Sequence, residues 1–181
     1  MKPRGPLMIE HRLIEKMIGI INDQITLMEK NQTVDPVLID TIVDFIKTYA
    51  DRTHHGKEED ILFRDLEGKN MSESDTRIMK ELVEEHQQGR KLVADIVAAK
   101  QSYLAGDMES LTAMIKGLKE LAAFYPEHIK KEDAVFFPGT EKYFTNEELD
   151  AMLEEFWTFD RSLIHEKYKN VVEQIRAKAG L

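Results

Sequence analysis

Residues 54–63 read HHGKEEDILF, and residues 128–137 read HIKKEDAVFF. Each stretch places a glutamate four residues after a histidine, as His54 with Glu58 and His128 with Glu132. Residues four apart on a helix lie on one face, so each pair can direct two polar groups to the same point. The second half of the chain therefore repeats a pattern of the first half.

A second pair of motifs extends the repeat, because Glu10-His11 and Glu85-His86 precede the two stretches at similar distances. Each half thus supplies one single histidine and one His-x3-Glu motif. Six candidate metal ligands follow: His11, His54, Glu58, His86, His128 and Glu132.

Apolar residues recur at alternating spacings of three and four, which is typical of helices that bury one face. No segment alternates with period two over a useful length, so we predict an all-α protein. Four helices joined by short links favour an up-down-up-down four-helix bundle. Their predicted limits are Pro6 to Asn31, Pro36 (capped by Asp35) to Gly68, Ser72 or Ser74 to Gly106, and the segment after Asp107 to Pro138-Gly139.

The remaining sequence predicts a fifth helix. Thr145 and Glu148 have the spacing of a capping box that opens it. We therefore divide the chain into a bundle with the metal site, residues 1–140, and a C-terminal helix, residues 141–181, that packs on the same domain. Pro126 lies within the fourth helix and predicts a kink one turn before its ligands.

Composition narrows the class of protein. The chain has 181 residues, 42% hydrophobic and 33% charged, which is enough for one domain with a real core. Its net charge of -9 argues against nucleic acid and anionic membranes as partners. The absence of cysteine excludes disulfides and thiolate metal sites. No apolar run predicts a signal peptide or a membrane span, so we expect a cytoplasmic protein.

All six candidates fall on the predicted inward stripes of their helices. Charged side chains in a core are costly unless they are paired or bind metal. Two divalent ions explain this set, with histidines at terminal positions and each glutamate able to bridge the pair. Nitrogen and carboxylate ligands without thiolates suit non-haem iron best, and manganese or zinc are possible.

Two further histidines are open candidates. His55 lies about 100° around the helix from His54 and could be a ligand, an outer partner or a surface residue. His165 in the fifth helix could reach the open end of the site, or could lie at the surface. Gly89, one turn after His86, indicates either space near the metals or close helix packing. Glu59 and Asp133 are either solvated or hydrogen-bonded to ligand histidines.

These motifs resemble the hemerythrin-like family, also called the HHE cation-binding domain. The resemblance covers roughly residues 7–140 and rests on Glu10-His11, Glu85-His86 and the two stretches quoted above, the second followed by Pro138. It implies that His11, His54, His86 and His128 are terminal ligands and that Glu58 and Glu132 bridge two iron ions.

The chain departs from the oxygen carriers of that family. Those proteins place five histidines on the metals and take an H-x3-H pair from their third helix, whereas here Arg90 follows His86 at that spacing. A fifth histidine would have to be His55 or His165.

The resemblance implies a non-haem di-iron protein that binds or reacts with O₂, NO or peroxide in sensing, scavenging or redox chemistry. The alternatives are a di-metal catalase or peroxidase, and iron storage, delivery or iron-centre repair. Whether the protein is an enzyme, and which protein partner or electron donor it uses, stays open at this point.

Overall fold

The computed structural model describes the backbone of residues 2–179 and the side chains of residues 2–163. Within the described backbone the chain is helical and contains no strand. It forms five long helices: α1 (Arg4–Asn31), α2 (Pro36–Phe45, Ile46–His55, Glu58–Phe63 and Arg64–Glu67 in succession), α3 (Glu73–Leu104), α4 (Ser110–Lys131, Glu132–Phe136 and Phe137–Thr140 in succession) and α5 (Asn146–Ala179). A short 3₁₀ turn, Glu141–Tyr143, precedes α5.

The helix starts confirm the predicted caps. The Asp35 side chain accepts hydrogen bonds from the backbone N–H groups of Val37 and Leu38. Ser72, and not Ser74, caps α3 by accepting from the N–H of Asp75. Before α5, Thr145 and Glu148 bond reciprocally, at 2.9 and 3.2 Å, as a capping box does.

The buried face of α1 is the predicted one, consisting of Leu7, His11, Ile14, Ile18, Ile21, Ile25 and Met28. On α3 the predicted stripe is also buried from Met79 to Ile96, and only Tyr103 is partly exposed. α4 packs against both α1 and α3. The three- and four-residue spacing therefore located the core of these helices correctly.

Two helices depart from regular α geometry. The segments Ile46–His55 and Glu58–Phe63 of α2, and Glu132–Phe136 of α4, are π-helical, with wider turns closed by i→i+5 hydrogen bonds. The wider turn shifts which residues face inward. Val135, predicted on the buried stripe, is 51% exposed, and Phe136 takes its place at 1%.

The predicted end of α4 at Pro138-Gly139 was also wrong, since the helix continues to Thr140. Pro138 lies in the first turn of the α-helical segment that follows the π-helix, where its missing N–H is tolerated. Upstream, Pro126 lies within an unbroken helical segment, and the kink there stays a prediction.

The apolar core consists of two clusters. The larger one joins α1, α2, α3 and α4 and includes Ile14, Ala50, Val93 and Ile129. The smaller one lies beyond the ligand candidates on each helix and includes Leu7, Ile61, Leu62, Leu82, Phe136 and, from α5, Met152 and Phe156. The same order recurs along each of the four helices, apolar then His or Glu then apolar, and places a polar layer between two apolar clusters.

The fifth helix is anchored to α2. Beyond the apolar contacts of Met152 and Phe156, Arg64 forms an ion pair with Glu155 at 2.7 Å, and Lys69 forms one with Glu148 at 2.5 Å. None of the helices among the described residues combines the length and apolarity that crossing a membrane requires.

Candidate metal centre

Seven of the eight predicted site residues lie together in the polar layer, and all seven are buried. The first group consists of His11, His54, Glu58 and Glu132. Each of these side chains offers one potential ligand atom, and these atoms all lie within 4.8 Å of one another. A second group meets the same limit and contains His55, His86 and His128. The residues of each group could hold a metal ion.

The two glutamates connect the groups. Glu58 directs Oε1 to His54 Nε2 at 3.5 Å and Oε2 to His86 Nε2 at 3.4 Å. Glu132 directs Oε2 to His11 Nε2 at 3.1 Å and Oε1 to His128 Nε2 at 3.3 Å. Each carboxylate therefore presents one oxygen to each group, as a bridging ligand requires.

The polar atoms of the centre fit a metal site because they lack other partners. Ten buried side-chain atoms of these seven residues have no hydrogen-bond partner among the described residues. They include the Nε2 atoms of all five histidines and all four glutamate oxygens. An unsatisfied buried polar atom costs roughly 1–3 kcal/mol, so such a concentration fits a site in which a bound species satisfies these atoms together.

Four of the histidines are oriented by carboxylates on their outer side. A carboxylate can only accept here, so each Nδ1 carries the proton and leaves Nε2 as a metal donor. The Nδ1–H groups donate from His11 to Asp133 (2.7 Å), from His54 to Glu10 (2.9 Å), from His86 to Glu59 (2.6 Å) and from His128 to Glu85 (2.8 Å).

Each of these carboxylates is in turn paired with a cation, as Asp133 with Arg12, Glu10 with Lys57, Glu59 with Arg90 and Glu85 with Lys131. Hydrogen bonds from His128 and Lys131 lower the pKa of Glu85 despite its partial burial. Burial raises the pKa of Glu10, but bonds and charges from His54 and Lys57 outweigh it and leave the pKa lowered. Glu10 and Glu85 are therefore held ionised.

Electrostatics inside the centre favour a cation. Burial lowers the pKa of His86, but Glu132, Glu58 and Glu59 outweigh that effect and raise it to about 11. Burial likewise lowers the pKa of His11, but the hydrogen bond to Asp133 and the adjacent carboxylate of Glu132 raise it to about 10. Protons on imidazoles thus balance the buried carboxylates when no metal is bound, and a metal ion would compete with those protons.

His55 differs from the other four histidines. Its ring stacks on that of His86 with centroids 3.8 Å apart, and its Nδ1 lies 3.4 Å from Asp51 without a hydrogen bond. Burial, followed by the charges of His86, His54 and His128, holds its pKa well below the usual value, so the ring is neutral. The repeat did not single it out, because its counterpart in the second half is the buried Ile129.

The second candidate for a fifth histidine, His165, has its backbone in α5, but its side chain lies outside the described residues. Glu15 forms an ion pair with Arg12 at 3.3 Å on the surface and takes no part in the centre. Glu59 and Asp133 prove to be partners of ligand-candidate histidines.

A cavity of about 220 Å³ reaches the centre from the side of the second group. His55, His86, Gly89, Arg90 and Tyr125 are among the residues that line it. A Cβ atom on Gly89 would meet Phe124 at 3.5 Å, an ordinary contact, so helix packing does not require glycine there. Of the two interpretations of Gly89, space beside the centre agrees better with this geometry.

Sequence reasoning missed the roles of three further groups. Lys57 and Lys131 each follow a ligand-candidate histidine by three residues and hold the partner carboxylates Glu10 and Glu85. Asp160 of α5 binds the buried Lys57 at 2.9 Å. The lysines repeat between the halves and were visible in the sequence, whereas nothing marked Asp160 before α5 was placed.

The comparisons with known proteins agree with this geometry. The family model described as hemerythrin HHE cation binding domain matches residues 6–139. No curated protein and no solved structure gives a match. The matched range contains all seven residues of the centre and most of the described bundle. The chain therefore belongs to the hemerythrin HHE cation-binding domain family.

Proposed function

We propose that five histidines and two glutamates of this protein hold two iron ions that bind or react with O₂, NO or peroxide. The proposal rests on the ten buried polar atoms that have no hydrogen-bond partner among the described residues. Within this set, each glutamate directs one oxygen to a histidine of the first group and the other oxygen to a histidine of the second. Two bridging carboxylates and nitrogen donors, without thiolate, suit iron, with manganese or zinc as substitutes.

The donor set is unequal. Counting both glutamates for each metal, the first group offers four donors, since it has only His11 and His54, whereas the second offers five. The first metal position would therefore have one protein ligand fewer, whereas the cavity lies on the side of the second position, beside His55 and His86. Two iron ions held by these residues would bind the small ligand and exchange electrons with it.

Aromatic rings pack against three of the ligand-candidate histidines. Phe137 stacks on His11 with centroids 5.8 Å apart, Phe63 on His86 at 6.0 Å, and Phe124 on His128 at 5.3 Å. The two apolar clusters close the layer from both sides. Such surroundings favour small, weakly hydrated ligands over bulky polar substrates.

We also infer that the four bundle helices run up-down-up-down. His11 lies early in α1, His54 and Glu58 late in α2, His86 early in α3, and His128 and Glu132 late in α4. These residues meet in one layer if successive helices are antiparallel, which the short links also favour. The division into a bundle of residues 1–140 and a C-terminal helix on the same domain is supported by the contacts of α5 with α2.

The test is anaerobic loading with Fe(II), followed by iron quantification and visible spectra before and after O₂ or NO is admitted. We expect two irons per chain and a new charge-transfer band in the wild type. Glu58→Gln should lose most of the iron and the band, whereas Glu67→Gln, in the exposed last turn of α2, should keep both. Absence of iron uptake by the wild type would contradict the proposal.

Peroxide decomposition is the second candidate, favoured by Tyr125. Its ring is stacked near His55 at 6.4 Å, it lines the cavity, and its hydroxyl has no hydrogen bond to the described residues. The hydroxyl is therefore placed to donate a hydrogen bond to a molecule in the cavity. Tyr125→Phe should slow peroxide loss while the iron content stays unchanged. A wild-type rate of peroxide loss no higher than that of free iron at the same concentration would contradict this activity.

Iron storage, delivery or centre repair is the remaining alternative. It requires iron that leaves readily, whereas the buried ligands described above favour retention. Release of iron to a chelator within seconds would favour delivery over ligand chemistry. The cytoplasmic location stays a prediction from the sequence.

A further inference from the structure

Lys57 is a fully buried lysine, 0% exposed, held between two helices other than its own. Its ammonium contacts Glu10 of α1 and both carboxylate oxygens of Asp160 in α5, at 2.9 and 3.1 Å. A buried ammonium group costs several kcal/mol unless it is well paired. Lys57 therefore depends on α5 being docked.

The same lysine is two contacts away from the metal centre. Glu10, which Lys57 holds through Oε1, accepts the Nδ1–H of His54 through Oε2 at 2.9 Å. A continuous chain of charged hydrogen bonds, Asp160 to Lys57 to Glu10 to His54, thus runs from α5 to a ligand candidate.

A close backbone contact lies beside this chain. A Cβ atom on Gly56 would come within 2.7 Å of Phe159 Cζ, so α5 packs directly on the α2 backbone next to His54 and His55. A movement of α5 would therefore displace the segment of α2 that carries His54 and His55.

The second half of the chain provides an internal comparison. Lys131 holds Glu85, and Glu85 accepts from His128 at 2.8 Å, which repeats the first half. However, the Lys131 side chain is partly exposed, and its additional partner, at 3.5 Å, is Glu81 of α3, the helix that also carries Glu85. Among the described side chains, the link to the fifth helix is thus found only for His54.

We propose that Asp160 is a positioning residue for His54, and that docking of α5 and metal occupancy are coupled through Lys57 and Glu10. The inference rests on the proposed metal centre. Coupling is reciprocal, so docked α5 raises metal affinity, and bound metal protects α5 from opening. The C-terminal helix then changes its exposure with the state of the centre.

The test compares Asp160→Asn with Asp150→Asn, a change at an exposed position of the same helix. Affinity for Fe(II) is measured by chelator competition without O₂, and amide hydrogen exchange of residues 152–163 is followed with and without metal. We expect Asp160→Asn to weaken binding about 10-fold and to reduce the metal-dependent protection of α5. Asp150→Asn should behave as the wild type.

Wild-type affinity and protection in Asp160→Asn would overturn the coupling, whereas a wild type that binds no metal would overturn the proposed function instead. Asp160→Glu keeps the carboxylate and should restore affinity, which separates positioning from misfolding. Should Asp160→Asn fail to fold, the wild type still decides, because unchanged exchange of α5 on metal binding contradicts the coupling.

An independent observation concerns the outer face of α1. Ile9, Leu13, Ile20 and Leu27 are 42–63% exposed, and the last three stand seven residues apart, on the side away from the buried stripe. Apolar residues at this spacing form the contact line of paired helices. Gly19 adjoins it, and a Cβ atom there would meet nothing within 4 Å, so packing within the chain does not explain this glycine.

Charge on the same face indicates the partner. Lys16 and Asp23 are exposed beside the apolar line and form no ion pair among the described residues. A second copy of α1, antiparallel about a two-fold axis near Ile20, brings Lys16 beside Asp23 of the partner subunit and Leu13 beside Leu27 of the partner subunit. The pair of opposite charges then occurs twice in the dimer.

From this complementarity we infer that the protein forms a two-fold dimer through α1. Sedimentation velocity of the wild type should show a dimer that Ile20→Lys converts to monomer, while Val37→Lys, at an exposed valine outside this face, leaves it intact. Lys16→Glu or Asp23→Lys alone should weaken the dimer, and the double change should restore it. A monomeric wild type, or a dimer indifferent to these changes, would overturn the inference.

Discussion

At the scale of single residues, the centre is built from a symmetric set and one exception. His11, His54, His86 and His128 each carry an outer carboxylate, whereas His55 has none and packs against His86 instead. His55 makes the second group richer in nitrogen than the first. The difference between the two metal positions therefore depends on one side chain.

This asymmetry gives a prediction that separates the two candidates for the fifth histidine. His55→Ala removes a donor from the second group, so iron should fall from two per chain towards one. His165→Ala should leave two irons bound. Iron and protein quantification after gel filtration measures both, and an unchanged iron content in His55→Ala would show that His55 is not a ligand.

The outer carboxylates give a second prediction. Glu85→Gln leaves His128 in place but removes the ionised acceptor that orients its Nδ1–H. Loss of such a partner weakens metal binding by about 10–100-fold. Glu84→Gln alters the exposed neighbouring residue and serves as the control. Chelator competition measures the affinities, and equal values for the two variants would contradict the orienting role.

Single residues also show how much of the candidate site could be predicted from the sequence. Six of the seven residues were predictable because the repeat doubles each motif and places it on an apolar stripe. His55 was only an open candidate, because its counterpart is Ile129 and its angular position was judged on a regular α-helix. The carboxylates that orient the histidines could be recognised in the sequence only as residues next to a ligand candidate, because hydrogen bonds between helices depend on tertiary packing.

At the scale of elements, the π-helical segments carry the glutamates of both His-x3-Glu motifs. From Ile42 the buried positions of α2 recur every four residues through Ile46, Ala50, His54, Glu58, Leu62 and Leu66. On a regular α-helix such a constant step would drift around the axis, whereas a wider turn keeps it on one face. This constant spacing, also present from His128 to Thr140, is the signal that an analysis based on regular helices overlooks.

The link before α5 gives a prediction of how the free energy of unfolding depends on pH. The Tyr143 hydroxyl donates to Asp75 at 2.5 Å and accepts from the N–H of Ser72, which ties the start of α3 to this link. Bonds from Tyr143 and then Lys142 lower the pKa of Asp75. A lowered carboxyl pKa stabilises the fold above the unfolded value of about 3.9, and this stabilisation is lost as the pH falls below it.

Tyr143→Phe should therefore lower the free energy of unfolding by about 1–2 kcal/mol near neutral pH, and by less below about pH 4. Urea titrations of wild type and variant at several pH values measure the difference. Tyr103→Phe, a partly buried tyrosine without a side-chain hydrogen bond among the described residues, is the control. A difference that does not shrink in acid would contradict the role of Asp75.

At the scale of the whole molecule, the polar layer makes stability depend on metal. It separates two apolar clusters and leaves ten buried atoms unpartnered without a bound ion. A ligand at one hundred times its Kd stabilises the folded state by about 2.7 kcal/mol for each site. We expect the Tm to rise by several degrees on anaerobic Fe(II) loading and to fall again with chelator, as followed by circular dichroism.

The control for this shift is His54→Ala with Glu58→Gln, which should show little change with metal. An equal shift in the double variant would mean that metal stabilises the protein elsewhere.

We propose that one layer of the bundle holds two metal ions joined by Glu58 and Glu132. The most direct test of this proposal is a crystal structure of the iron-loaded protein with anomalous scattering recorded on both sides of the iron absorption edge. We expect two anomalous peaks between these carboxylates, one beside His11 and His54 and the other beside His55, His86 and His128. A single peak, or none in this layer, would contradict it.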